Sequence, residues 1–358
     1  MKIKTAAQLI ALACTTLISQ NARAASFSFQ QFATGTTVSG TSPDSVQFGD
    51  GSVWIAYQNG ADSTGASGSS TVVRYSPTGT VINTWSIKGN VDGLRIDPTG
   101  LVWALQNNDG NSALTTINPH TNATAAYTYG SSYTNVANRG FDDVVFTGGQ
   151  VFLSETNPAS ATDPVVVKLT TGLSSPLQIR GILNSTFSGA NLATGKVGST
   201  AITDSDSLIL TPSGDLALTG EADQEIAFIH NPGTSSQTES FVALKGTDGK
   251  TISGEPDDTA YATATSGYFY IADTGANTVY KVWATGLTPG SVYVDVGNVF
   301  GSLDLSTGEV TPIWSGVSPH GVQFVASVPE PASFAFLCTG LLVGAGLVAR
   351  RRRARCRV

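Results

Sequence analysis

An all-β chain folded as a β-propeller is what this sequence predicts, on three observations. A short strand motif recurs six times, at intervals of 48, 50, 64, 51 and 63 residues. A second strand follows it after a glycine turn. The composition, with 39 Gly, 15 Pro and one Met in 358 residues, favours strands and turns over helices.

The first strand opens on an acid or histidine, continues with a small or acidic residue, and then alternates apolar positions. Its copies are Asp44-Ser45-Val46-Gln47-Phe48, Asp92-Gly93-Leu94-Arg95-Ile96, Asp142-Asp143-Val144-Val145-Phe146, Asp206-Ser207-Leu208-Ile209-Leu210, a degenerate Asp257-Asp258-Thr259-Ala260-Tyr261, and His320-Gly321-Val322-Gln323-Phe324. The second strand appears as Gly51–Ala56, Gly100–Leu105, Gly149–Ser154, Gly214–Thr219 and Gly267–Ala272, at the spacing of a hairpin. A third follows in each unit, as in Val72–Tyr75 or Thr278–Lys281, and Val81–Ile87 is a fourth.

Four short antiparallel strands per repeat make a propeller blade, which cannot bury both faces alone and so stacks into a ring. The period is too long for a β-solenoid rung, and the hairpins are too many for one sandwich. Trp54, Trp103, Phe152 and Tyr270 are expected in the wedges between blades. Six blades are predicted, with five as the alternative, because only five second strands match six first strands. The last blade is expected to mix both ends of the chain: Phe27–Ala33, Val299–Leu305, Val310–Trp314 and Val322–Val325.

The propeller domain is placed at residues 25–327, between two segments that read as addresses. Residues 1–24 have the basic, apolar and small-residue regions of a secretory signal peptide, with Ala22 and Ala24 at the cleavage site. At the other end Pro329-Glu330-Pro331 precedes 18 uncharged residues, 332–349, and then Arg350, Arg351, Arg352 and Arg353. As a helix that stretch rises about 27 Å, enough to span a bilayer with the arginines on the cytoplasmic side.

Residues 328–358, with Pro-Glu-Pro, helix and arginines in this order, resemble the PEP-CTERM sorting signal of Gram-negative bacteria. With the signal peptide removed by signal peptidase on export, the resemblance implies transient anchoring in the inner membrane. It then implies cleavage near Pro329–Pro331 by an exosortase and delivery to the cell envelope or extracellular matrix. The alternative is a plain membrane anchor. Asp273-Thr274-Gly275-Ala276-Asn277-Thr278-Val279-Tyr280 similarly resembles the turn and strand of NHL and SMP-30/gluconolactonase-like propellers.

The net charge of −7 averages unlike parts: residues 25–327 carry ten Lys/Arg against 25 Asp/Glu, a net −15. That excludes a basic nucleic-acid binder. Cys14, Cys338 and Cys356 all lie in the end segments, so the domain is held by its core without disulfides. In an antiparallel blade the start of the first strand and the end of the second share one rim. Asp44, Asp92, Asp142, Asp206, Asp257 and His320 open first strands there, and Gln106, Asn107, Glu155, Glu221 and Asp273 close second strands.

An oxygen-rich, sulfur-free rim suits Ca²⁺ or another divalent cation. The competing reading makes each aspartate a turn former that holds local backbone N–H groups. Two functions remain open: a non-catalytic module binding a polysaccharide or envelope ligand, and an extracellular metal-dependent hydrolase or lactonase of the SMP-30 type. No Ser-His-Asp order, Gly-rich phosphate loop or His-Glu-x-x-His motif is present. His120 and His230 read as surface residues. Tyr127, Tyr129 and Tyr133 are candidates to stack on sugar rings, with strand packing as the alternative.

Overall fold

A computed structural model describes residues 24–130 and 138–327. The signal segment through Ala22, Tyr133, and the whole sorting segment with Pro329, Glu330, Pro331 and Arg350–Arg353 lie outside the described residues. Ala24 is described and is exposed.

The chain opens with β1 (Ser26–Thr34), which belongs to the last blade. Blade 1 is β2 (Pro43–Gly49), β3 (Ser52–Tyr57), β4 (Ser69–Tyr75) and β5 (Val81–Lys88). Blade 2 is β6 (Val91–Ile96), β7 (Val102–Gln106), β8 (Ala113–Ile117) and β9 (Thr124–Thr128), and blade 3 is β10 (Phe141–Thr147), β11 (Gln150–Glu155), β12 (Pro164–Leu169) and β13 (Ile179–Asn184). A hairpin of β14 (Thr186–Asn191) and β15 (Val197–Ala201) comes next. It accounts for the interval of 64 residues. Blade 4 is β16 (Ser205–Leu210), β17 (Leu216–Gly220), β18 (Glu225–His230) and β19 (Thr238–Ala243), and β14 adds to β19 in parallel at its outer edge.

The last two blades share strands, which the sequence reading did not anticipate. After β20 (Pro256–Tyr261) the chain makes β21 (Ser266–Asp273) and β22 (Thr278–Thr285), then β23 (Val292–Val296), β24 (Val299–Asp304), β25 (Glu309–Ser315) and β26 (Pro319–Ala326). Blade 5 is β20-β23-β24-β25, and blade 6 is β26-β21-β22-β1. The expected hairpin of Asp257's strand with Gly267–Ala272 is therefore replaced: β20 pairs with β23, and β21 pairs with β26. The mixed closing blade does take a strand from each end. Its two middle strands are β21 and β22, while Val299–Leu305 and Val310–Trp314 complete blade 5. The interval of 63 residues is this excursion.

Six apolar clusters, one at each junction of neighbouring blades, close the ring. Trp54 stacks on Trp85 at 5.2 Å in the junction of blades 1 and 2, Trp103 meets Phe146 at 5.0 Å between blades 2 and 3, and Phe152 and Tyr270 are buried in two others. The core is thus radial walls of side chains between sheets, so that each blade covers a face of its neighbours.

Candidate metal centre at the channel mouth

All six innermost strands carry the same irregularity at their start. Between the pairs Pro43↔Tyr57 and Val46↔Ile55, three steps on one strand match two on the other, and the same break recurs in β6, β10, β16, β20 and β26. Each is a β-bulge with two residues opposed to one, which kinks the strand and re-aims its side chains. The bulged pairs are 44–45, 92–93, 142–143, 206–207, 257–258 and 320–321, the first two residues of the repeated motif.

The first residue of every pair lines the mouth of the central channel. Asp44, Asp92, Asp142, Asp206, Asp257 and His320 surround a polar cavity of about 270 Å³ together with Gln58, Asn108, Asp109, Asp204 and Glu221. Carboxylate oxygens of Asp92, Asp142 and Asp206 all lie within 4.8 Å of one another. Gln58 Nε2 donates to Asp92 Oδ1 at 2.9 Å, and His320 Nδ1 stands 3.4 Å from Asp257 Oδ1 and 3.7 Å from Asp44 Oδ1. Oδ2 of Asp142 and Oδ2 of Asp206 are buried without a hydrogen-bond partner among the described residues.

Burial and mutual repulsion push these acids up. Asp44, Asp142 and Asp206 are raised well above the usual carboxylate range, first by burial and then by neighbouring carboxylates. Burial and then Asp257 bring Asp92 to about 7 and Glu221 to about 8. The negative field acts oppositely on His320, which Asp257 above all holds protonated up to about 10.

This donor set fits a hard divalent cation. Ca²⁺ takes oxygens at about 2.3–2.6 Å, so donors on opposite sides of one ion stand at most about 5 Å apart. Asp92, Asp142 and Asp206 meet that span, and the two orphaned oxygens are atoms for which a cation is the natural partner.

Two expected ligands do not join. Glu155 pairs with Arg139 and is fully buried beside it, so its charge is already matched. Asp273 closes a strand of blade 6, where Oδ1 accepts from Ala276 N at 3.0 Å and Ser318 N at 3.2 Å; it is a turn former. Gln106 and Asn107 are likewise committed to backbone groups, Gln106 Nε2 donating to Lys88 O and Asn107 Oδ1 accepting from Asn90 N. Among the tyrosines, Tyr129 is buried at 1% exposure and offers no face to a sugar, while Tyr127 is partly buried against the same cluster.

Below the mouth lies a floor that the sequence reading passed over. Arg95 donates through Nε and Nη2 to the two oxygens of Asp143. Asp143 Oδ2 accepts from Leu208 N at 3.1 Å, Asp258 Oδ2 from Val322 N at 2.9 Å, and Ser45 Oγ from Leu94 N at 3.0 Å. These second bulge residues pin blade 1 to 2, 3 to 4 and 5 to 6. Asp295, at the end of β23, accepts from Asp258 N and is buried completely. It is the true strand closer of blade 5, hidden from the sequence because β21 occupied its expected place.

No family model matches the chain, and no curated protein matches it. Among solved structures it is similar to virginiamycin B lyase from Staphylococcus aureus, at 13% identity over 83% of this chain and 92% of that one, with a TM-score of 0.47. It is also similar to a periplasmic gluconolactonase of Pseudomonas aeruginosa, at 16% identity over 80% and 89%, with a TM-score of 0.45. A gluconolactonase-like protein of a structural-genomics series matches at 11% identity over 82% and 84%, with a TM-score of 0.47. Likenesses at this level say nothing about activity.

Proposed function

We propose that this protein is an exported, exosortase-sorted β-propeller that holds a divalent cation, Ca²⁺ foremost, at its channel mouth and serves at the cell envelope as a binding module. The observation that carries this reading is the Asp92–Asp142–Asp206 triad with its two orphaned oxygens. Ca²⁺ takes about six to eight oxygens. Three aspartates leave coordination positions facing the cavity, where vicinal hydroxyls of an envelope polysaccharide fit. The sorting half of the reading rests on the Pro329-Glu330-Pro331 and Arg350–Arg353 segment.

A second reading, metal-dependent hydrolysis of a lactone or ester, is favoured by the cavity itself. Its 270 Å³ lies against the triad and leaves room for water and a small substrate beside Glu221. One experiment separates the two. Purified residues 25–327 are assayed by calorimetry for Ca²⁺ and then, loaded with Ca²⁺, for polysaccharide binding and for turnover of a lactone and ester panel. Cation binding with polysaccharide retention and no turnover supports the module; turnover lost in Glu221→Gln supports the hydrolase; no cation binding overturns both. For sorting, a strain lacking its exosortase is expected to accumulate the uncleaved chain, and unchanged processing would refute that half.

A further inference from the structure

The two ends of the channel differ in chemistry. Beneath the Arg95–Asp143 floor, on the face opposite the acidic mouth, the far ends of β6, β10, β16, β20 and β26 line an open cavity of about 510 Å³. That volume is within the range of small-molecule sites, about 300–1,000 Å³. Its walls are apolar, with Ile96, Phe146, Ile209 and Phe324 prominent, and Leu210 stands 42% exposed beside it. Arg95 is the one charged residue in the lining.

One polar group in that apolar lining is incompletely used. The Arg95 guanidinium engages Asp143 through Nε and Nη2, and Nη2 also reaches Leu208 O at 3.4 Å, while Nη1 makes no hydrogen bond among the described residues. A ligand oxygen at that free N–H gains a charge-assisted hydrogen bond in apolar surroundings. The charge of Arg95 is already balanced by Asp143, so the complementary head group is a neutral acceptor rather than a second carboxylate.

We propose that this lower cavity is a second binding site, for a neutral and largely apolar small molecule whose single carbonyl or hydroxyl oxygen meets Arg95 Nη1. The site is independent of the cation at the upper mouth, because the Arg95–Asp143 layer separates the two.

The probe is the fluorescent naphthyl ketone 6-propionyl-2-dimethylaminonaphthalene, titrated into residues 25–327 with Ca²⁺ and again with chelator. Saturable binding near one per chain is expected, with blue-shifted emission, and equal in both conditions. Leu210→Glu/Thr263→Glu places two charges at exposed rim positions. It is expected to weaken binding at least tenfold while leaving the melting temperature within a few degrees. In wild type, 2-octanone should displace the probe at lower concentration than octane, which reads the polar head without touching Arg95. Absence of saturable binding, undiminished binding by the rim variant, or equal displacement by ketone and alkane each overturns the proposal. Failure of Ca²⁺ to bind would leave it standing.

Discussion

A β-carbon on Gly93 would stand 1.9 Å from the carbonyl oxygen of Asp142, and one on Gly321 would stand 2.2 Å from that of Asp44. Both glycines are second bulge residues. Where that position is Ser45, Asp143 or Asp258, a side chain reaches to the next blade; at Gly93 and Gly321 the backbones themselves approach. Gly93→Ala is therefore expected to cost about 3 kcal/mol, since backbone must yield, as read by urea denaturation; a loss within error would show the approach to be soft. The neighbouring acids predict the opposite sign. Asp142→Asn removes a buried charge that burial and Asp92 disfavour. The cation-free protein should therefore become more stable at pH 8, as read by urea denaturation. The same variant should lose Ca²⁺ affinity at least tenfold. Unchanged affinity by calorimetry would remove Asp142 from the site. The openers were legible because a repeated acid before a repeated strand is a pattern. The turn-forming fate of Asp273 and the pairing of Glu155 with Arg139 depend on partners distant in the fold, which no local pattern encodes.

Strand pairing sets the limit at the next scale. Four blades were readable because their successive strands pair with their sequence neighbours, as in β2-β3-β4-β5. From β20 to β21 the chain shows the same motif followed by the same glycine strand, yet the two lie in different sheets. The hint was a spacing of ten residues from Asp257 to Gly267 instead of seven or eight. Because blade 5 is completed only after the chain returns from blade 6, neither can form without the other. Native-state hydrogen exchange is expected to give the amides of β21, β22 and β23 one common opening free energy. Amides of β15, an edge strand outside the blades' walls, should exchange well before them. Separate values for β21–β22 and β23 would show two independent units. Phe27 ties the closure, its ring 6.4 Å from Phe269 and 6.2 Å from Tyr293 of blade 5. Phe27→Ala should lower stability by about 2–3 kcal/mol, below the range for a fully buried ring because Phe27 is half-buried.

Across the whole ring, charge would couple the fold to the proposed cation. Asp92 and Asp258 rise from 3.8 to about 7, Glu221 from 4.5 to about 8 and His320 from 6.5 to about 10. A group that holds its proton more tightly when folded stabilises the fold below its unfolded value and loses that contribution as pH climbs to its folded value. All four shifts have the same sign, so without cation the melting temperature should fall steadily from about pH 4 to about pH 8, with His320 extending the decline toward about 10. A divalent cation reverses the balance, since it binds ionised carboxylates and competes with protons for them. The gap between Ca²⁺-loaded and chelated melting temperatures should be small at pH 5 and widen through pH 8. Thermal scans at fixed ionic strength read this directly, and a cation-free protein growing more stable with rising pH would contradict the buried acidic ring. The excess of acid in residues 25–327 is then the part of the sequence where stability and the proposed cation binding would meet: a ring that folds most readily when protonated would become firm at neutral pH by holding that cation.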